Sequence, residues 1–295
     1  NVWQHRHLRL RQQRVLKSIE LETANCEELL KNVLPPHLIN QLAELVQTRG
    51  RKASADDGSS ARGLLVASQS SGVGVAIAHP PPQPALIAES YTGCTFLFAK
   101  VGGLAQLIND PKAEPRRVLR LLQTMYDRFD RLADTFMVQK VRKTANEYYL
   151  VAAGLPNTEL LPQPHDRACA IAGFGFALLN VAPLITLELE RMGFDLANIN
   201  ITLQVGLHSG GAIAGVIGHK TFQYDLCGDA VNTAARMCST SAPGRVHVSE
   251  ATHALLNHRF DSETRGEREV KGKGKMRTYF LHNAPPGAVT DRDAE

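Results

Sequence analysis

The chain has 295 residues, 43% of them hydrophobic and 21% charged, enough for one domain of about 200 residues with extensions or for two small ones. Thirty-three Lys+Arg against 29 Asp+Glu leave a net charge of +4, too slight an excess for a dedicated nucleic-acid binder. The five cysteines (Cys26, Cys94, Cys169, Cys227, Cys238) are odd in number, far apart and without CxxC spacing, which argues against a disulfide framework or a zinc site and for a reducing, intracellular setting. No stretch approaches the roughly 18 uninterrupted apolar residues of a membrane helix, so the chain is expected to be soluble. It begins at Asn1 with no signal-peptide pattern, as a fragment of a longer protein would.

Arg6, Arg9, Arg11, Arg14 and Lys17 precede the first acidic residue, Glu20. Such a run suits an anionic membrane surface beside an upstream span, and equally a solvated terminus. Val15, Ile19, Glu22, Cys26, Leu29 and Val33 then alternate spacings of four and three, an a/d seam with Glu22 as its polar break. A seam this short needs a partner helix to be stable, and a single amphipathic helix packed on its own domain fits the same spacing. Pro35-Pro36 stop it, because neither can donate a backbone hydrogen bond. A short amphipathic piece with Leu38, Ile39, Leu42 and Leu45 follows. Residues 1–48 thus read as a basic terminus and a coiled-coil signalling helix. Residues 49–88 shift to Ser, Gly and Ala and end near His79-Pro80-Pro81-Pro82-Gln83-Pro84, a flexible linker with little structure of its own.

Residues 89–283 alternate types. Cys94 to Val101 reads as a buried strand, and Val118 to Asp134 as a helix through Leu121, Leu122, Met125, Phe129 and Leu132. Met137 to Thr144 and Tyr148 to Ala153 read as strands joined by a tight turn at Ala145-Asn146-Glu147. A long helix runs from about His165 to Met192, and Ile199 to Leu207 is another strand. This order suggests an α+β fold with a ferredoxin-like split βαβ core and helices on one face, followed by a tail at 284–295.

Three segments carry candidate chemistry. His208-Ser209-Gly210-Gly211 follows a strand, and its glycines allow a tight turn or close approach to a ligand. From Ala230 the chain should be helical, so Asn232 and Arg236, four apart, project from one face. An amide and a guanidinium there suit sugar or phosphate oxygens, or form a solvated polar stripe. Val270-Lys271-Gly272-Lys273-Gly274-Lys275 sets three lysines in a glycine-flanked loop, fit for phosphate or simply an exposed basic hairpin.

Together, Val205-Gly206-Leu207-His208-Ser209-Gly210, Ala214-Gly215-Val216-Ile217-Gly218, Gln223 to Met237, the Val270–Gly274 lysine loop and Thr278-Tyr279-Phe280-Leu281 resemble class III nucleotide cyclases in order and spacing, over about residues 90–282. Glu28-Leu29-Leu30-Lys31-Asn32-Val33-Leu34-Pro35 resembles the short helix that enters these domains from a transmembrane or sensor module. The resemblance implies a dimer with two composite pockets at the subunit interface. In each, the 3′-oxygen of a nucleoside triphosphate attacks the α-phosphorus and pyrophosphate leaves. Two Mg²⁺ or Mn²⁺ ions are held by two aspartates of one subunit, and the facing subunit supplies the purine-reading residues and an Asn/Arg pair.

Carried over residue by residue, the resemblance splits this chain in two. The first metal aspartate of the family is here Lys100, in Phe96-Leu97-Phe98-Ala99-Lys100-Val101, and the second is Glu147. The other half of the pocket is intact. Lys143 and Asp225 match the purine-reading pair of adenylyl cyclases, Asn232 and Arg236 the ribose- and phosphate-orienting pair, and Lys271 the terminal-phosphate lysine. This division is similar to the second catalytic domain of membrane adenylyl cyclases, which binds the base while its partner holds the metals. The expectation is therefore a heterodimer-forming subunit that converts ATP to cyclic AMP at the cytoplasmic face of a membrane. The alternatives are a non-catalytic pseudo-cyclase acting on a partner by dimerisation, and a homodimer using Glu147 with a relocated second ligand. No nucleic-acid partner is implied.

Overall fold

A computed structural model describes residues 88–282 apart from 111–112, 144–147, 157–158, 195–198, 218–222 and 257–258, together with Lys17, Leu38, Ile39 and Gln41; Arg142 and Lys143 are described by backbone alone. The expected coiled-coil helix, the linker and the tail lie outside the described residues. The chain divides into two units, Asn1–Ala88 with Gly215–Tyr224, and Glu89–Ala214 with Asp225–Glu295. The second holds nearly every described element.

In chain order these are β1 (Ala88–Gly102), α1 (Leu104–Ile108), α2 (Pro115–Thr135), β2 (Gln139–Lys143), β3 (Tyr148–Ala153), α3 (Pro164–Leu179), α4 (Ala182–Arg191), β4 (Thr202–Ile217), β5 (Gln223–Cys227), α5 (Asp229–Ser239), β6 (Val246–Ser249), α6 (Glu250–Leu256), β7 (Asp261–Val270) and β8 (Gly274–His282). The sheet runs β2-β3-β1-β4-β6-β8-β7, with β5 paired to β4. β1 is central because Cys94, Thr95, Phe96 and Leu97 are consecutive and all buried, which only a strand covered on both faces permits. β3 pairs antiparallel to it with Lys100 opposite Tyr148 and Ala99 opposite Tyr149.

Helix α2 buries Val118, Leu121, Met125, Phe129 and Ala133, the three-four stripe expected of it, and Pro115 at its first turn costs no hydrogen bond. Phe129 meets the Tyr149 ring edge-on at 5.3 Å, and Tyr149 donates to Asp130 Oδ1 at 2.7 Å. Full burial of side chains this large stabilises by roughly 2 kcal/mol each. Helix α3 adds Ala168, Ile171, Ala172, Phe174 and Leu178 to the same core.

Two sequence expectations are corrected. The long helix from His165 to Met192 is two helices. Pro183 has no N–H to give the preceding turn, and Val181 N–H bonds Leu178 O at 2.9 Å in a tighter turn. Residues 164–191 are also long and apolar enough to cross a membrane by length and composition, although no uninterrupted apolar run that long exists. Part of that apolar surface is core, through Ala168, Ile171, Ala172, Phe174, Leu178, Ile185 and Leu189, while Leu184 and Leu187 are exposed.

The glycines at 210 and 211 make no turn. β4 runs straight through them, and they are small because neighbours crowd in. A Cβ on Gly210 would lie 2.8 Å from Ala230 Cβ, and one on Gly206 only 1.8 Å from the Cys238 nitrogen. Helix α5 therefore lies directly against the β4 backbone. The lysine segment forms the turn of a hairpin joining β7 to β8.

Candidate active site

Helix α5 begins after Gly228, whose φ of 155° and near contact with Gly211 and Ala212 disfavour a side chain there. Its buried face is Ala230, Val231, Thr233, Ala234, Met237 and Cys238. Asn232 and Arg236 consequently fall on the exposed face, one turn apart, as the spacing predicts. Asp225 is half-buried on β5, one carboxylate oxygen accepting from the Leu226 N–H at 2.9 Å. Asp225, Asn232 and Arg236 thus come from one strand-turn-helix unit.

The β7–β8 hairpin holds this helix at both ends. At the tip, Lys273 N–H donates to Val270 O at 2.8 Å and closes a turn over 271–273. The Lys273 ammonium pairs with Asp229, in the first turn of α5, and Lys271 is left exposed. At the other end Arg265 donates to Thr240 O at 2.8 Å and stacks over Phe280 at 4.3 Å. Buried His247 lies with Nδ1 2.8 Å from Met237 O, so that nitrogen carries the proton and Nε2 accepts from Arg265 at 3.1 Å. Two of the three lysines thereby separate in role: Lys273 ties hairpin to helix, and Lys271 faces solvent.

A row of hydroxyls crosses the sheet beneath. Thr95 Oγ1 and Ser209 Oγ lie 2.9 Å apart, Ser209 reaches Thr252 at 3.0 Å, and Ser249 reaches His208 Nδ1 at 2.7 Å. Sequence reasoning missed this row, Arg265 and the Asp229–Lys273 pair, because no spacing announces contacts between residues so far apart in the chain.

Both imidazoles are pushed down to about 4. For His247 burial is the main cause, opposed by the Met237 carbonyl and reinforced by Arg265 and Arg268. For His208 burial again leads, then the Lys273 ammonium, with Asp229 opposing. Each ring stays neutral in the fold at a pH that protonates it in the unfolded chain. The stability this contributes is complete above the ordinary value of 6.5 and is lost as pH falls from there toward about 4, at up to roughly 1.4 kcal/mol per pH unit for each ring. Urea unfolding across that interval should show His247→Gln losing about one proton from the pH slope of the wild type. Equal slopes would contradict the assignment.

Lys100, between buried Ala99 and Val101 near the end of β1, is half-buried with Nζ 5.9 Å from the centroid of the Tyr148 ring. Among the described residues no carboxylate pairs with it. Position 143 is opposite Tyr149, itself opposite Ala99, so positions 100 and 143 lie at the same end of the sheet on either side of β3. The side chain of Lys143 and the turn containing Glu147 lie outside the described residues. An ammonium has three donors and no lone pair, so a divalent cation does not fit at Lys100.

The family description "Adenylate and Guanylate cyclase catalytic domain" matches residues 86–283. The chain belongs to this family. The cyclase domain is 33% identical to the guanylate cyclase soluble subunit beta-2 of Rattus norvegicus over 270 residues, which is 91% of this chain and 32% of that protein. It is 34% identical to an adenylate cyclase of Mycobacterium bovis over 212 residues, 70% of this chain and 44% of the relative. The chain thus spans less than half the length of either. Among solved structures, the guanylate cyclase domain of RhGC from Catenaria anguillulae, in complex with GTP, superposes with a TM-score of 0.57 at 28% identity, covering 67% of this chain and all of the other. The α+β fold is that of class III cyclases. Its relatives include cyclases of both guanylate and adenylate type, so family membership alone leaves the base open.

Proposed function

We propose that this cyclase domain is one half of a heterodimeric adenylyl cyclase, supplying base recognition and transition-state stabilisation while a partner supplies the metal-binding carboxylates for Mg²⁺ or Mn²⁺. The observation that carries this reading is the split within one chain. Lys100 stands where the family has a metal ligand, while Lys143, Asp225, Asn232, Arg236 and Lys271 keep the opposite half.

In this reading Lys143 donates to adenine N1 and Asp225 accepts from the exocyclic amine; guanine offers the reverse pattern at both edges. Asn232 orients the ribose. Arg236, on the exposed face of α5, meets charge as it develops on the transferred phosphate, and Lys271 holds the terminal phosphates. Clamping α5 by Lys273 and Arg265 would let Arg236 act without reorganising its helix. The reaction forms the bond from the 3′-oxygen to the α-phosphorus and releases pyrophosphate. The basic run from Arg6 to Lys17 favours a place at the cytoplasmic face of a membrane.

The test is Arg236→Ala in a complex with an aspartate-bearing cyclase domain. It should lower kcat by roughly 10²-fold with a smaller change in KM. An unchanged kcat would remove Arg236 from the mechanism. Lys100 also favours a second reading, a pseudo-cyclase that regulates its partner by dimerisation. A pure scaffold, however, has no physical need of all five recognition residues.

A further inference from the structure

We infer that Arg265, on the edge strand β7, is a positioning residue for Arg236: it fixes the last turn of α5, through which that guanidinium is placed. The inference rests on the role given to Arg236 above and names the path by which its placement is set.

Arg265 stands at a break in its strand. Thr264 is opposite Tyr279 and Glu267 opposite Arg277, so Arg265 and Gly266 share the one place opposite Thr278. Gly266 takes a left-handed φ of 68°, and its N–H donates to Thr264 Oγ1 at 3.2 Å. A bulge of this kind bends a strand and re-aims a side chain. Every other residue of β7 up to Glu269 is exposed, whereas Arg265 is half-buried with its guanidinium over Phe280 at 4.3 Å.

From there one terminal nitrogen donates in two directions, to Thr240 O at 2.8 Å and to His247 Nε2 at 3.1 Å. Both bonds lead into the end of α5. Thr240 gives its N–H and its hydroxyl to Arg236 O at 3.0 and 2.8 Å, and Ser239 Oγ adds a third donor at 3.1 Å. His247 donates to Met237 O, the next carbonyl, at 2.8 Å. Carbonyls that a helix end leaves open are here satisfied, and a cation lies at the negative end of the helix dipole. The Arg236 backbone is thereby tied to the sheet while its side chain stays exposed. A donor that meets charge in a transition state works through placement, and an error of about 1 Å costs up to about 10²-fold in rate. Lysine at 265 would keep the charge but lose the planar group that stacks on Phe280 while making both bonds.

The experiment uses the full chain mixed with a cyclase domain that carries both metal aspartates and lacks the Asn/Arg pair, so that turnover depends on Arg236 of this chain. Sedimentation first confirms that each variant forms the complex. Arg265→Met should lower kcat about tenfold and change KM for ATP by less than about twofold, with Arg265→Lys in between. Guanidinium ion, at concentrations that leave the wild-type rate unchanged, should restore part of the loss. In an Arg236→Ala background, Arg265→Met should lower kcat no further, because the two act as a unit. Should the methionine variant fold poorly, Thr240→Val removes the hydroxyl bond to Arg236 O with Arg265 left in place, and should show the same split and the same non-additivity. A kcat indifferent to Arg265, a loss confined to KM, or an equal loss with and without Arg236 overturns the inference. The reading of Arg236 itself fails by a different result, an unchanged kcat in Arg236→Ala alone.

Discussion

Lys100→Asp combined with Glu147→Asp is expected to give the isolated chain measurable, Mn²⁺-favoured cyclic AMP synthesis where the wild type has little or none. The first change places a carboxylate at the end of β1, in a register already fixed by the pairing with β3. It also removes a positive charge from where two divalent cations would sit, a repulsion worth several kcal/mol in a partly dehydrated pocket. The second withdraws one methylene, which matters because magnesium demands near-octahedral geometry. Lys100→Asp should therefore contribute more than Glu147→Asp. A homodimer of the variant would hold two complete sets of residues, so sedimentation must first show a dimer. A variant that dimerises, binds ATP with Mn²⁺ and makes no cyclic AMP would favour the pseudo-cyclase reading.

The second large effect is on base choice. Lys143→Glu with Asp225→Cys should shift the complex with an aspartate-bearing partner from ATP toward GTP, since the pair then offers the groups guanine's edge requires. Each single change leaves a buried polar group mismatched, at a cost of about 1–3 kcal/mol. The singles should lose ATP turnover without gaining GTP turnover. Comparing kcat/KM for both nucleotides across the four proteins checks this, and full ATP selectivity in the double variant would show that this chain does not read the base.

Much of this site is legible in the sequence because its residues are local. Asn232 and Arg236 need only a helix from Ala230 onward to share a face, and β1 and α2 are marked by a continuous apolar run and a three-four stripe. The remaining elements are hidden for physical reasons. β7 is an edge strand with Ser262, Glu263, Thr264, Glu267, Arg268 and Glu269 exposed, so it has no apolar alternation to reveal it. β6 is four residues long, and two of them, His247 and Ser249, are polar yet fully buried, their cost offset by bonds to Met237 O and to His208. Gly210-Gly211 suggested a turn because glycine's conformational freedom is the commoner reason for it; here the reasons are the approach of α5 to Gly210 and of the Tyr91 carbonyl to Gly211. Arg265 carries no local mark at all, since its partners lie at Thr240, His247 and Phe280.

The most direct test of the half-enzyme account is ATP turnover with Mg²⁺ or Mn²⁺, measured for the chain alone and for the chain mixed with a cyclase domain that carries both metal aspartates but lacks the Asn/Arg pair. The account predicts little or no cyclic AMP from either protein alone and substantial synthesis from the mixture, abolished by Arg236→Ala. Substantial Mg²⁺-dependent synthesis by the pure chain would contradict it, and so would a mixture that forms a stable complex and stays silent.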